Sequence, residues 1–242
     1  MCRMIAFASA APRDVAPFLS AMTRFCRSGN LVDGWERRPS GNHPDGWGIA
    51  YRKGDTMCLL RSGKPAAIDP LLGEVAAKTT RFIGHVRYAS NPATVNSGNS
   101  HPFLAGGIAV AHNGTFRGRI GREADARKAS DTLVFTEVLA GSWRDRTLDG
   151  LRETLSFLLG TEDLVGDYSA ANMLIAADAS LFALRRFRRN PDYYTLHIHA
   201  EEGLAVVASE PLDGLSGWRL LSDGELVALS DPAPRSLPLA AG

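Results

Sequence analysis

A cysteine directly follows the initiator methionine, and it is the residue of this chain best suited to nucleophilic chemistry. If Met1 is removed, Cys2 carries a thiol and a free α-amine on one residue. An α-amine has a pKa of about 7.7–8.0 and a thiol one of about 8.5, so the amine can accept the proton of the thiol. The position therefore predicts a nucleophile that carries its own base, unless the cysteine is incidental.

Two later segments carry residues that could complete such a site. The run His112-Asn113-Gly114 ends an apolar stretch. This run either forms an Asn-Gly turn or presents the side-chain amide of Asn113 and a backbone N–H to a developing oxyanion. Arg87 ends another apolar stretch near Ser90, where a guanidinium can bind a carboxylate through two hydrogen bonds or simply face solvent. Asp131 follows Ser130 at a predicted helix start, where it could bind an ammonium group or only favour the helix dipole.

The sequence predicts neither a metal site nor an organic cofactor. Cys2, Cys26 and Cys58 are odd in number and widely spaced, which argues against a disulfide framework and against a zinc site. His197 and His199 share a strand face but have no third ligand at a recognisable spacing. We expect Cys26 and Cys58 to be core residues and the protein to be cytoplasmic.

The composition and the net charge indicate which kinds of molecule the protein can bind. The 242 residues are 45% hydrophobic and 22% charged, which is typical of a globular protein. Lys and Arg number 27 against 26 for Asp and Glu, and a net charge of +1 favours neither nucleic acid nor an anionic membrane. No apolar run approaches the roughly 20 residues of a membrane span. We therefore expect a small-molecule substrate.

Short strands dominate the pattern that must position these residues. Strands are predicted over 2–8, 47–52, 56–61, 82–87, 107–112, 171–177, 181–187, 193–199, 204–208, 219–221 and 225–229. Turn residues at 53–55, 178–180 and 222–224 predict hairpins and hence antiparallel sheets. Amphipathic patterns predict helices over 12–26, 130–139 and 148–159, and the polar segment 91–102 predicts a functional loop. We predict an α+β layered sandwich forming one domain over residues 1–242, with 231–242 as a loose tail.

Taken together, the motifs resemble a known family. They occur in the order, and near the spacings, of a class II glutamine amidotransferase domain, which is an N-terminal nucleophile hydrolase. The motifs are Met1-Cys2, Asp45-Gly46-Trp47-Gly48-Ile49-Ala50, Gly84-His85-Val86-Arg87, Ser100-His101-Pro102-Phe103, Val110-Ala111-His112-Asn113-Gly114 and Ser130-Asp131-Thr132. The resemblance runs from residue 2 to about residue 140. Segments 171–175 and 208–212 look similar to the single-domain branch that includes the ergothioneine-pathway γ-glutamyl hydrolases.

The resemblance implies a four-layer αββα sandwich of two antiparallel sheets and a specific reaction. Cys2 would be the nucleophile with its α-amine as the base, and Asn113 and Gly114 would form the oxyanion hole. The γ-amide of glutamine, or of a γ-glutamyl conjugate, would be cleaved through a thioester on Cys2. This reaction needs no metal and no organic cofactor.

Substrate binding is also implied by the resemblance. Arg87 and Ser90 would hold the α-carboxylate of glutamine, and Asp131 would hold its α-ammonium group. Two positions depart from the family pattern: Leu133 stands where many relatives have an acidic residue, and Asn91 where synthase-linked relatives often have histidine. Both departures leave the fine shape of the substrate pocket open.

Several alternatives stay open at the level of sequence. We expect that the chain has no room for a synthase domain, so ammonia would pass to a separate synthase, or hydrolysis of a γ-glutamyl conjugate would be the whole reaction. A different enzyme would be an N-terminal-cysteine acylase acting on non-glutamyl amides, although Arg87 with Asp131 argues against it. A catalytically silent binding module would be favoured if Met1 remained on the chain.

Overall fold

Two antiparallel sheets form the centre of the computed structural model, which describes residues 2–29, 41–229 and 234–239. The first sheet has the strand order β11-β9-β10-β1-β4-β2-β3 and the second β13-β12-β8-β7-β6-β5. The strands within the described residues are β1 (Arg3–Asp14), β2 (Trp47–Lys53), β3 (Thr56–Ser62), β4 (Lys78–Val86), β5 (Phe103–Ala105), β6 (Ile108–Gly114), β7 (Ala171–Ala177), β8 (Ser180–Arg185), β9 (His197–Glu201), β10 (Leu204–Ala208), β11 (Arg219–Leu220), β12 (Glu225–Ala228) and β13 (Arg235–Pro238).

Helices cover the outer face of each sheet. They are α1 (Ala16–Arg27), α2 (Pro70–Gly73), α3 (Arg119–Arg127), α4 (Asp131–Ser142), α5 (Leu148–Gly160) and α6 (Glu162–Val165). The apolar stripe of α1 packs on the first sheet, while α3, α4 and α5 pack on the second. The predicted α+β class and the αββα order of layers are therefore confirmed. The longest described helix, α5, has 13 residues, and none of the described helices is long and apolar enough to span a membrane.

Strand alternation decides which side chains enter the layer between the sheets. On β1, Met4 and Ala6 belong to the buried cluster between the sheets, while Ile5 and Phe7 pack toward α1. Because side chains alternate along a strand, Cys2 shares the inner face with Met4. On β6, Ala109 and Ala111 are inner residues, so Asn113 is inner as well. On β4, Ile83 faces the layer between the sheets, and His85 and Arg87, two and four residues later, face the same layer.

Local sequence signals explain where the helices beside the site begin. Ser130 caps α4, since its hydroxyl accepts a hydrogen bond from the Thr132 N–H at 3.3 Å. Thr147 caps α5 in the same way through the Gly150 N–H at 3.0 Å. The cap at Ser130 fixes the first turn of α4, and with it the position of Asp131.

Two sequence predictions are wrong in detail. The helix predicted over 12–26 begins at Ala16, because Arg13 and Asp14 still pair with Thr79 and Lys78 as the end of β1. The turn at 222–224 does not join a hairpin, since β11 pairs with β9 in one sheet and β12 with β8 in the other. Turn chemistry marks a reversal of the chain but not the sheet in which the next strand pairs.

The predicted loose tail also needs correction where the structure describes it. Arg235–Pro238 pairs with β12 as the edge strand β13, and Leu237 packs against the core of the second sheet. An edge strand tolerates proline, because a missing N–H on its outer side breaks no ladder hydrogen bond. Residues 231–233 and 240–242 lie outside the described residues.

Candidate active site

Cys2 lies at the N-terminal end of β1, between the two sheets, with 7% of its surface exposed. Its backbone nitrogen donates a hydrogen bond to Oδ1 of Asn113 at 3.0 Å. Its Sγ lies 3.8 Å from the carbonyl oxygen of Tyr88. The start of the first sheet and the end of β6 in the second sheet therefore meet at this cysteine. The predicted removal of Met1 concerns a residue outside the described ones.

Burial sets the protonation state of this thiol. It raises the pKa of the Cys2 thiol, and the positive charges of Arg87 and Arg3 act in the opposite direction without reversing the shift. The resting cysteine is therefore a thiol rather than a thiolate at neutral pH. Because the thiolate is the nucleophile, the site requires a base close to Sγ.

Asn113 presents an unused hydrogen-bond donor beside Cys2. The residue is fully buried, and its Oδ1 is engaged by the Cys2 nitrogen. Its Nδ2 has no hydrogen-bond partner among the residues that the structure describes. Burying an amide N–H without a partner costs roughly 1–3 kcal/mol, so such a group marks a place where another molecule supplies the acceptor.

Position 114 has no room for a side chain larger than that of glycine. A Cβ at this position would lie 1.8 Å from the carbonyl oxygen of Ala170 and 2.5 Å from Nε2 of His112. The end of β6 can therefore approach the chain at Ala170 only with glycine at position 114. Sequence analysis paired Asn113 with Gly114 as oxyanion donors, and the structure places the two at the end of β6 beside Cys2.

The three predicted substrate-binding residues line one cavity of about 450 Å³. Arg87, Ser90 and Asp131 all contribute to its wall, together with Thr94 and Arg117. A larger cavity of about 670 Å³ lies on the opposite outer face, beside α1, and none of the six predicted site residues lines it. Cys2, Asn113 and Gly114 do not line the smaller cavity, which therefore contains the predicted substrate-binding residues but not the predicted catalytic ones.

Arg87 joins the thiol to this cavity. It is buried, and its guanidinium donates hydrogen bonds to the carbonyl oxygen and to Oγ1 of Thr94, both at 2.7 Å. Burial lowers the pKa of Arg87, while negative charge at Cys2, Asp45 and Asp131 acts in the opposite direction. An arginine stays charged through such a shift, so the cavity has a fixed cation on its inner wall.

Asp131 provides negative charge in the same cavity. Its Oδ2 accepts a hydrogen bond from the Phe116 N–H at 2.7 Å, and its Oδ1 accepts one from the Thr132 N–H at 2.8 Å. These contacts fix the carboxylate at the first turn of α4, where the helix dipole also favours it. Oδ1 also accepts long hydrogen bonds from the Ser130 and Thr132 hydroxyls, both at 3.4 Å, so Oδ2 is the oxygen that can accept a further hydrogen bond. Ser90 is exposed on the cavity wall.

Three buried histidines surround the site, and sequence analysis did not predict this cluster. The rings of His85 and His101 lie 4.3 Å apart, centroid to centroid. His101 Nδ1 lies 3.1 Å from the carbonyl oxygen of His112, while His112 Nδ1 lies 3.0 Å from Oγ1 of Thr132. Neither nitrogen of His85 has a hydrogen-bond partner in the described part of the chain. Each histidine falls in a recognised motif, but the motifs lie far apart in the sequence.

These histidines predict a pH-dependent stability. Burial lowers the pKa of His85 to about 3, lowers that of His101 well below the usual value and lowers that of His112 as well. The unfolded chain protonates them near pH 6.5, so stability is full above this pH and is lost as the pH falls toward 3. For His85, whose folded-state pKa is about 3, protonation of the unfolded chain is expected to lower the unfolding free energy by about 1.4 kcal/mol at pH 5.5.

Urea unfolding at pH 7.5, 6.5 and 5.5 measures this effect. The His85→Met variant should lose about 1.4 kcal/mol less than the wild type over this range, because one titrating group is gone. Parallel pH dependences for the two proteins would show that His85 is protonated in the folded state.

Comparisons with known proteins identify related sequences and structures. A model of the family described as Glutamine amidotransferases class-II matches residues 1–189. Glutamine–fructose-6-phosphate aminotransferase of Thermus thermophilus is 30% identical over 157 residues, which cover 61% of this chain. The chain spans only 26% of the length of that relative.

Two further proteins are similar over most of this chain. Gamma-glutamyl-hercynylcysteine sulfoxide hydrolase of Mycobacterium tuberculosis is 26% identical over 188 residues, which cover 77% of this chain and 75% of that protein. The structure of a glutamine phosphoribosylpyrophosphate amidotransferase from B. subtilis aligns with a TM-score of 0.68 at 19% identity. The alignment covers 100% of this chain and 50% of that one, and it establishes a shared fold.

Proposed function

This chain belongs to the class II glutamine amidotransferases, and we propose that it hydrolyses the γ-amide of glutamine or of a γ-glutamyl conjugate through a thioester on Cys2. The observation that carries the proposal is the amide of Asn113. Its oxygen holds the Cys2 nitrogen, while its buried Nδ2 lacks an acceptor. A tetrahedral oxyanion formed at Cys2 is an acceptor of the kind that this donor lacks.

The proposed reaction begins with a proton transfer within one residue. After removal of Met1, the Cys2 nitrogen is an α-amine that accepts the thiol proton as Sγ attacks the γ-carbonyl carbon. Nδ2 of Asn113 and the Gly114 N–H stabilise the oxyanion. The amine then returns the proton to the leaving nitrogen, the C–N bond breaks, and ammonia or an amine departs. Water hydrolyses the thioester to a γ-carboxylate and restores the thiol.

The opposite charges of the cavity support recognition of a zwitterionic head group. We propose that Arg87, with Ser90, binds the α-carboxylate and that Asp131 binds the α-ammonium group. In this arrangement the substrate carboxylate replaces Thr94 as a partner of the Arg87 guanidinium. A fatty-acyl chain would bring no counter-ion to either charge, which argues against an acylase.

The leaving group is the part of the substrate that these residues do not restrict. Ammonia would be passed to a separate synthase, whereas a larger amine would make hydrolysis the complete reaction. Similarity to a γ-glutamyl conjugate hydrolase over three quarters of both chains supports the second reaction. A free nucleophilic thiol suits a reducing environment, and we propose a cytoplasmic location.

Steady-state kinetics on four amides test the proposal. L-Glutamine and a γ-glutamyl anilide should be cleaved, with the faster one identifying the type of leaving group. The α-decarboxylated anilide should show a kcat/KM lower by about 10²–10³-fold, because it brings no counter-ion to the buried Arg87 charge. A fatty-acyl anilide should not be cleaved. The Arg87→Met variant should bring the rates for the γ-glutamyl and decarboxylated anilides together.

Two outcomes would overturn the proposed function. Cleavage of the fatty-acyl anilide at the rate of the γ-glutamyl anilide, or faster, would identify an acylase. No cleavage of any of the four by a chain verified to begin at Cys2 would identify a silent binding module.

A further inference from the structure

A buried ion pair lies immediately behind Cys2. Arg3 and Glu210 are 2% and 4% exposed, and Nε of Arg3 donates to Oε1 of Glu210. The Arg3 guanidinium stacks over the ring of Tyr193 at 4.8 Å. Its Nη1 donates to the carbonyl oxygen of Cys2 at 3.3 Å. One buried charge therefore contacts both an anion and the backbone of the proposed nucleophile.

This pair lies beside the apolar cluster on the outer face of the first sheet, a face that also carries His197 and His199. Because side chains alternate along a strand, Arg3 lies on the same face of β1 as Ile5 and Phe7. Glu210, two residues after the end of β10, lies on the same face as Ala208. A buried ion pair contributes little net stability, and a hydrophobic pair of similar size often packs as well or better. Packing of α1 and the sheet does not explain why charges are used at this point.

The contacts hold Cys2 from both sides of the sheet. On the inner side its nitrogen is held by Asn113, and on the outer side its carbonyl oxygen is held by Arg3. The neighbouring backbone is fixed too, because the Met4 N–H donates to Oγ of Ser209 and the Ser209 N–H donates to the Met4 carbonyl oxygen, both at 2.9 Å. The peptide unit that follows Cys2 therefore has little freedom to rotate.

We propose that Arg3, held by Glu210 and Tyr193, is a positioning residue that orients Cys2 for nucleophilic attack and favours its thiolate. This inference rests on the proposed function. The positive charges of both Arg3, on the outer face, and Arg87, on the inner face, act on the Cys2 thiol, and of the two only Arg87 lines the substrate cavity. Arg3 therefore acts on the chemical step, whereas Arg87 also acts on substrate binding.

Kinetics of matched variants test this role. Arg3→Met should lower kcat by about 10–100-fold and change KM by no more than about twofold, and Arg3→Lys should restore part of kcat. Arg81→Met is the control, since Arg81 also donates to a carbonyl oxygen of β1, that of Ser9 at 3.0 Å, far from Cys2. It should keep the wild-type kcat.

A double variant separates positioning from stability. Arg3→Met alone leaves the charge of Glu210 buried, which could unfold the chain. Arg3→Met combined with Glu210→Leu replaces both charges with apolar side chains, so thermal stability should be close to that of the wild type. The loss of kcat should persist in this stable variant. A double variant with the wild-type kcat would overturn the proposal.

Alkylation of the thiol gives a readout that does not require turnover. In a Cys26→Ser, Cys58→Ser background only Cys2 reacts with iodoacetamide. At pH 7.5 Arg3→Met should react about 3–10-fold more slowly, because less of the thiol is ionised, and Arg3→Lys should react like the wild type. Equal or faster alkylation of Arg3→Met would overturn the positioning role. A slower reaction in a chain that cleaves no γ-glutamyl amide would uphold this role and reject the proposed function.

Discussion

Replacement of Cys2 by serine is expected to lower kcat by about 10⁴-fold on a chain whose first residue is residue 2. A buried hydroxyl ionises far less readily than a thiol, so much less of the reactive nucleophile forms beside the same α-amine. Substrate binding should change little, because the head-group cavity is formed by other residues. Intact mass establishes which residue begins the chain, and steady-state rates on the preferred γ-glutamyl amide measure the effect.

The other two cysteines are the controls for this result. Cys26 is buried under α1, and burial raises the pKa of its thiol, while Cys58 is half-buried on β3. Cys26→Ser and Cys58→Ser should keep full activity. A glutamine-analogue electrophile should leave its adduct on the peptide that contains Cys2. An adduct on Cys26 would reject Cys2 as the nucleophile.

Asn113→Ala is expected to lower kcat by about 10²–10³-fold with a much smaller change in KM. The variant removes the unused Nδ2 donor and also the oxygen that holds the Cys2 nitrogen. The Nδ2 contact would form mainly in the transition state, when negative charge develops on the carbonyl oxygen of the substrate, so its loss should affect kcat more than KM. Steady-state kinetics and thermal unfolding should be measured on the same preparation.

The structure offers a matched control directly opposite this residue. Asn172 pairs with Asn113 in the β6–β7 register and is equally buried. Its Nδ2 is already bonded to the Tyr194 carbonyl oxygen at 3.1 Å, and its Oδ1 to the Arg186 N–H at 3.0 Å. Asn172→Ala should therefore lower stability and keep kcat. If Asn113→Ala loses activity only in proportion to its stability, Asn113 is a structural residue.

Strand positions were predictable from sequence where an alternating or continuous apolar pattern was bounded by clear turn residues. The predictions for Ala171–Ala177 and Leu204–Ala208 coincide with β7 and β10, both of which are buried along their full length. The edge elements were not predictable in this way. β5 has three residues and β13 contains a proline, so neither has the length or the composition of a central strand.

The candidate site was predictable residue by residue but not as a geometry. Cys2 and Asn113 were singled out by motifs, yet they meet across 111 residues of sequence. The Arg3–Glu210 pair spans 207 residues, and an arginine in a strand gives no local sign of a buried partner. The strand order that joins these positions depends on pairing between distant segments. Local periodicity predicts which face a residue occupies but not which segment lies opposite.

The contact between the Cys2 nitrogen and Asn113 places a constraint on the biosynthesis of the enzyme. Once β6 of the second sheet lies across from β1 of the first, this nitrogen is enclosed between the two sheets. If Cys2 has the role proposed for it, Met1 would be removed before Asn113 is in place. At 5–20 residues per second, the ribosome takes about 6–22 s to make the intervening 111 residues. The proposed base would then depend on the order of two maturation events, cleavage first and folding second.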